Sequence, residues 1–230
     1  MFVELFGLNI YAKNMNDLIN DINKFNKSAI LSANPEVIQC IGRLNLNFDD
    51  EVIFIPDGIG TVIAAKFLRG IKIKKLAGID FLLEILKNSH EKQYKIYFLG
   101  ARPWVVEKAA KRAKEEYNAN IVGFHHGYFS EGDVEEVVED INKTKPDFVF
   151  IGLGCPKQEK FIVEYKDKIK SKYLVAVGGS FDVLAGNTKR APKWMIELGL
   201  EWLYRIIRQP IRIIRLNRIA IFLIRVILNL

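Results

Sequence analysis

The sequence predicts an α/β protein: a Rossmann-like parallel sheet flanked by helices, followed by a basic helical appendage. Three observations carry that expectation. Short β-rich apolar runs alternate with amphipathic stretches, glycine-rich turns follow several of those runs directly, and from about residue 195 onward the composition shifts to aliphatic residues and arginine.

The apolar runs are Phe2 to Phe6, Ala29-Ile30-Leu31, Val52 to Ile55, Lys95 to Leu99, Ile121-Val122, Phe148 to Ile151 and Tyr173 to Val177. Runs this short, bounded by turn residues and separated by helical patterns, read as parallel strands buried on both faces. Helices are expected near 59–70, 80–88, 104–117, 132–143 and 157–170, several with charged outer faces such as Glu107-Lys108 and Lys111-Arg112. Nothing repeats at a fixed period and no Ser/Pro/Gly-rich linker appears. One domain is therefore expected over residues 1–194, with residues 195–230 as the appendage.

A chain of 230 residues with 50% hydrophobic content can bury a sizeable core. Its first residues carry a glutamate and no basic n-region or cleavage site, and no apolar run approaches the ~20 residues needed to span a bilayer, so a cytoplasmic protein is expected. Cys40 and Cys155 match no metal or redox spacing and read as structural thiols. The net charge of +7 is concentrated: residues 200–230 hold six arginines and one glutamate, leaving +2 for everything before them. A basic aliphatic segment suits nucleic acid, an anionic membrane or an acidic partner, and composition does not choose among these.

In open α/β sheets ligands bind beyond the carboxyl ends of the strands. The segments there are Ser32-Ala33-Asn34-Pro35-Glu36, Pro56-Asp57-Gly58-Ile59-Gly60-Thr61, Gly100-Ala101-Arg102-Pro103, Gly152 to Glu159 and Gly178-Gly179-Ser180-Phe181-Asp182. Gly58 and Gly60 permit close backbone approach, and the helix that follows offers unpaired N–H groups to a phosphate. A tight strand-to-helix turn with Asp57 as N-cap explains the same residues equally well. Asp57 beside a phosphate turn is also placed to take a proton from an attacking hydroxyl. Gly154, Pro156, Lys157, Gln158 and Glu159 suit a sugar and its diphosphate, although Glu159 also favours a helix N-terminus. Asp182, after Gly179, reads equally as a turn residue. Gly100 completes this set at the expected sheet edge.

Several function classes are disfavoured. The glycine pair lacks the third glycine of a dinucleotide fingerprint, with Ile63 in its place, and does not follow the first strand. His125-His126 have no companion ligands at metal spacing, and adjacent side chains on a strand point to opposite faces. Asp49-Asp50-Glu51 reads as a solvated acidic cluster, with no Asp-x-Asp pair after a strand, so chemistry without a metal or other cofactor is expected. Ser32, Thr61 and Ser180 lack a nucleophile elbow. A nucleic-acid module would leave the glycine-rich strand ends unexplained.

Taken in order, these segments resemble the WecG/TagA/CpsF glycosyltransferases over nearly the whole chain. The resemblance rests on Ser32 to Glu36, Pro56 to Gly60, Ala77-Gly78-Ile79-Asp80, Tyr97 to Ala101, Gly123 to Phe129 and Gly152 to Glu159. It continues through Gly178 to Gly186, Arg190-Ala191-Pro192 and Leu200 to Arg205. It implies a Rossmann-like fold and inverting transfer from a UDP-sugar, in the teichoic-acid branch UDP-N-acetylmannosamine, to N-acetylglucosamine on undecaprenyl diphosphate. Other branches use a UDP-hexuronic acid or UDP-glucose. Asp57 matches the family's proposed base. Ser32 stands where the family usually has threonine, and Asn34 is retained. Arg205, Arg212 and Arg215 are similar to the tail arginines proposed to neutralise the leaving UDP, a task that suits a permanently charged guanidinium.

The tail has its own reading. A helix is expected over 195–209, a restart at Pro210 and a second helix to Leu230. Arg205, Arg208, Arg212, Arg215 and Arg218 recur at steps of 3 or 4, with Ile206, Ile213, Ile214, Ile221 and Ile224 opposite, while Ile219 and Leu223 fall on the arginine side. An amphipathic helix docked on its own core accounts for the pattern; so does an interfacial helix peripheral on the inner face of the cell membrane that delivers arginines to the site. A UDP-sugar, a lipid diphosphate acceptor and the membrane are the expected partners, with no nucleic acid, and self-association remains open. A non-catalytic membrane scaffold is the competing class, and it predicts that Asp57 is dispensable.

Overall fold

The computed structural model describes residues 2–24, 28–49, 51–208, 213 and 216–228. At the N-terminus Phe2–Leu5 (β1) and Leu8–Tyr11 (β2) pair antiparallel. Phe6 and Gly7 between them both take positive φ, 54° and 74°, the two-residue turn whose twist matches a hairpin. β2 was not expected, because phenylalanine is an unusual residue for such a turn and Leu8–Tyr11 is short. Met15–Asp21 (α1) follows, started by an Asn14 capping box.

The chain then alternates: Ser28–Ala33 (β3), Pro35–Leu44 (α2), Val52–Pro56 (β4), Ile59–Arg69 (α3), Gly78–Ser89 (α4), Ile96–Gly100 (β5) and Pro103–Tyr117 (α5). Ile121–His125 (β6), Val134–Thr144 (α6), Phe148–Gly152 (β7), Lys157–Tyr165 (α7), Tyr173–Ala176 (β8) and Ser180–Leu184 (α8) complete the sheet and its cover. The strands stand in the order β1-β2-β4-β3-β8-β7-β5-β6, parallel from β2 onward. The central strands are apolar without alternation, as in VIFIP and IYFLG, because both faces are covered. One face packs against α1, α4, α5 and α8. The other packs against α2, α3, α6 and α7.

The appendage comprises Lys193–Glu197 (α9), Glu201–Arg208 (α10) and Leu216–Leu228 (α11). The boundary expected at 194 falls inside α9. The continuous helix expected over 195–209 is interrupted, and the reason is local. Gly199 takes φ +73°, and a side chain there would lie 2.7 Å from Ile59 Cβ, so the chain turns at that contact. α11 lies against α2 and α3, burying Phe222 and Val226, worth roughly 1.5–3 kcal/mol for each side chain removed from water. Its inward residues are therefore these two, whereas Ile221 and Ile224 are exposed. Arg218 pairs with Glu36 at 2.9 Å, and Arg225 stacks over Phe6. Pro210, Arg212, Ile214 and Arg215 lie outside the described residues. No helix among the described residues is long and apolar enough to cross a membrane.

Candidate active site

The chain leaves β3 toward one face, into α2, and leaves the neighbouring β8 toward the other, into α8. Loops that diverge from adjacent parallel strands open a crevice at their carboxyl ends. Asp57 stands at this edge, directly after β4. Its backbone N–H donates to Ala33 and Ile55 carbonyls at 3.1 and 2.8 Å. Gly58 follows at φ +122°, ψ +153°, a conformation that glycine alone adopts without strain.

Gly60 has a second reason for its lack of a side chain, since a Cβ would lie 2.6 Å from Pro35 Cγ. Thr61 is spent on structure too, its hydroxyl donating to the Ala33 carbonyl at 2.6 Å. Together these contacts clamp α3 against the end of β3 and fix where Asp57 points.

Desolvation raises the Asp57 pKa above the usual carboxylate range, against the opposing charge of Arg205 and a hydrogen bond with Ser32. Lys75 also draws it down, and Glu201 pushes it up. Ser32 itself is buried at the end of β3, where the Cβ position of Gly78 lies 3.2 Å from its hydroxyl. Glu201, at the start of α10, accepts hydrogen bonds from Arg205 at 2.7 Å and Lys75 at 3.2 Å. Burial alone would raise the Glu201 pKa, but these two cations outweigh it and hold it low. Arg190 grips Asp80 with two bonds of 2.5 and 3.2 Å and feels the charges of Glu201 and Asp57. The charges of three cations, Arg205, Lys75 and Arg190, thus bear on the Asp57 carboxylate.

The other half of the crevice is built from glycine. A Cβ on Gly100 would meet the Gly152 backbone at 2.5 Å, and one on Gly152 would meet Phe181 at 2.7 Å, so the strand ends of β5 and β7 touch without side chains between them. Gly154, Gly178 and Gly179 differ: open space surrounds each Cβ position. Gly179 has an ordinary φ of −80° as well, so neither strain nor packing demands a glycine there. A cavity of about 540 Å³ lies beside this floor, lined by Ala101, Gly127, Tyr128, Leu153, Pro156 and Lys157 among others. Three strand spacings separate β7 from β4, or ~14 Å. An elongated ligand is needed to touch both this cavity and Asp57.

Asn34 caps α2, its side-chain oxygen accepting from Val37 N–H at 3.0 Å. Gln158 and Glu159 are buried. The Gln158 carbonyl accepts from Gly178 N–H at 3.1 Å and its amide donates to Glu159 at 2.9 Å, so this pair braces the β8 loop. Burial raises the Glu159 pKa, and its second oxygen has no partner among the described residues. Lys157 is exposed, and Asp182 is half-buried at the start of α8. The Ser180 hydroxyl donates to Val177 O at 2.7 Å. Arg205 joins the Asp57 cluster, whereas Arg212 and Arg215 lie outside the described residues. β6 ends at His125, so strand alternation does not separate His125 from His126, and their rings sit 4.5 Å apart. Lys75, Asp80, Arg190 and Glu201 were not expected in the site. The signal for Lys75 was the basic run 72–75; Asp80, Arg190 and Glu201 lay within recognised segments whose individual roles sequence spacing does not reveal.

The model of the Glycosyl transferase WecG/TagA/CpsF family matches residues 3–230. The chain belongs to this family. A relative from Staphylococcus aureus (strain MW2) is 34% identical over 97% of this chain and 91% of its own length. A second, from Bacillus subtilis (strain 168), is 36% identical over 80% of this chain and 73% of its own. Both bear the name N-acetylglucosaminyldiphosphoundecaprenol N-acetyl-beta-D-mannosaminyltransferase. In this WecG/TagA/CpsF glycosyltransferase the charged centre is drawn from the turn after β4, the segment leading into α4, Arg190 and α10, and the open glycine floor from the loops after β7 and β8.

Proposed function

We propose that this chain moves N-acetylmannosamine from UDP-N-acetylmannosamine to N-acetylglucosamine on undecaprenyl diphosphate, in wall teichoic acid synthesis, at the inner face of the cell membrane. The donor and acceptor follow from the names of relatives that align over most of the chain. The observation that carries the chemistry is Asp57, with its raised pKa, amid Lys75, Arg190 and Arg205.

Asp57 takes the proton from the acceptor hydroxyl as that oxygen attacks the anomeric carbon. The bond from that carbon to the UDP oxygen breaks on the opposite side, which inverts the centre, and UDP leaves with an added negative charge. Arg205 stabilises that charge, with Arg212 and Arg215 completing the set when the appendage is seated on lipid. Preorganised donors of this kind contribute about 3–4 kcal/mol each. With fixed cations at hand the reaction runs without a metal. Ser32 orients the Asp57 carboxylate. Gly154 and Gly179 admit the nucleotide backbone closely, Gly58, Gly60 and Gly100 shape the strand ends it crosses, and Pro156 and Lys157 line the cavity for its far end. Asn34 and Asp182 flank the crevice, with Gln158 and Glu159 beneath it.

The test is UDP release from a panel of UDP-sugars, with and without a short-chain lipid diphosphate-N-acetylglucosamine, in EDTA. Acceptor-dependent release from UDP-N-acetylmannosamine that collapses in Asp57→Asn is the expected result. Release from UDP-glucose or a UDP-hexuronic acid instead would replace the donor, and full activity of the variant would return the chain to the scaffold class.

A further inference from the structure

A lipid-linked acceptor confines the reaction to a bilayer surface, so the face turned to lipid has to lie close to Asp57. α3 begins two residues after Asp57 and runs away from it. Its residues are distributed in an unusual way: the buried side is Thr61, Ala64 and Ala65, while Ile63 is 46% and Phe67 64% exposed, one turn apart. A helix that only served the core would bury its large apolar residues and expose its small ones. The surrounding charge is equally one-sided. Residues 58–79 contain five lysines and arginines and no acid, and Lys66, Lys72 and Lys74 are exposed. The basicity of this protein therefore has two centres: this segment carries as much net positive charge as the whole of residues 200–230, offset by acids elsewhere.

The ridge is continuous with the appendage. The Cβ position of Gly199 abuts Ile59 at 2.7 Å, which sets exposed Leu198 beside the first turn of α3. On another side Phe222 approaches the Cβ position of Gly60 at 3.5 Å, and α11 leaves Ile224 and Ile227 in solvent. Exposed aliphatic and aromatic residues with lysines around them are what an anionic bilayer surface takes. A second copy of the chain fits less well, because a two-fold interface over this face would bring like charges together.

We propose that α3 and the basic segment after it form a second lipid-contacting surface, within the catalytic domain itself, that seats on anionic lipid together with the appendage. It rests on the membrane-bound acceptor of the proposed function. Seated this way, the protein presents the Asp57 end of its crevice to the bilayer, where the acceptor diphosphate emerges.

The experiment is sedimentation of the full chain with phosphatidylglycerol vesicles, against phosphatidylcholine vesicles. Ile63→Ser with Phe67→Ser is expected to weaken binding roughly tenfold or more, as two apolar side chains lose their burial. Lys72→Glu with Lys74→Glu should weaken it by about fivefold or more per reversed charge, roughly 25-fold or more for the two, and keeps the test intact should the apolar pair unfold. UDP release with a short-chain acceptor in free solution should be unchanged in both. Wild-type binding that neither pair weakens, while Ile224→Ser with Ile227→Ser abolishes it, overturns the α3 surface and leaves the membrane reading standing. No wild-type binding to either vesicle overturns both. Conversion of a dimer to a monomer by the Ile63 and Phe67 pair, with vesicle binding retained, assigns the ridge to a second copy.

Discussion

Glu201 accepts a hydrogen bond from Arg205 at 2.7 Å, one turn along α10, while its other oxygen takes Lys75 at 3.2 Å from 126 positions away in the chain. One buried carboxylate thereby ties the appendage to the segment between α3 and α4, and both cations it holds bear on Asp57. The position of Lys75 and Arg205 beside Asp57 depends on this anchor.

Glu201→Ala should therefore cost both stability and rate. Leaving Lys75 and Arg205 without their partner is expected to lower stability by roughly 1–3 kcal/mol, since both retain some solvent. The pKa of Glu201 is depressed in the fold, so its contribution is present above the unfolded carboxylate range and is lost as pH falls through the folded value. Thermal melts of wild type and Glu201→Gln from neutral to acid pH should converge.

Asp57→Asn should separate function from stability. As a base Asp57 works only when ionised, so kcat/KM is expected to rise with pH through its raised pKa, and the variant should lose ~10²–10⁴-fold with that limb gone. A raised folded pKa means the protonated form favours the fold. Its stabilising share is complete below the unfolded value and is lost as pH rises through the folded one. At neutral pH the variant should therefore melt at or above the wild-type temperature; a clear drop would mean the carboxylate is structural.

Arg205→Lys keeps the charge but loses the planar fork. A fall in kcat of about 10²–10³-fold is expected for Arg205→Ala, with only partial recovery in the lysine variant. Donor affinity in the absence of turnover should change little if the interaction develops as UDP departs. Equal losses in affinity and kcat/KM would assign Arg205 to ground-state binding.

Two glycines of the same floor should behave differently. Gly152→Ala drives a methyl into Phe181 and the Gly178 carbonyl and is expected to cost about 1–3 kcal/mol by overpacking. Gly179→Ala meets no atom within 4 Å and should melt like wild type while raising KM for the UDP-sugar. Unchanged donor kinetics in Gly179→Ala would remove that loop from the nucleotide site.

Phe222→Ala tests the docking of α11 on α2 and α3. The cavity term for a buried phenylalanine is about 3–5 kcal/mol, but a detached helix caps the loss at the docking energy of α11. Faster proteolysis within the appendage, with the main melting transition little changed, is the expected pattern.

Much of the fold was legible because its signals are local. Apolar runs such as VIFI and FVFI, short and bounded by turn residues, read as strands covered on both faces, and the helices near 59, 80, 104, 132 and 157 follow from amphipathic period and turn residues; α3, α4, α5, α6 and α7 begin within about two residues of those positions. The hairpin strand β2 was not, since its turn places a phenylalanine at positive φ, and the break at Gly199 depends on Ile59, far away in sequence.

Along the chain, then, local chemistry determined that an α/β sheet would form, that its glycine-bearing strand ends would lie at one edge, and that Asp57 would stand among them. What only the tertiary structure decided is which charges meet there. Lys75, Arg190 and the Glu201–Arg205 pair of α10 lie on three separate segments, and electrostatics between segments in a partly desolvated crevice depend on distances that sequence spacing does not encode. The same is true of the glycines: Gly100 and Gly152 are glycine because two strand ends touch, whereas Gly179 stands against open space, and only packing distinguishes them.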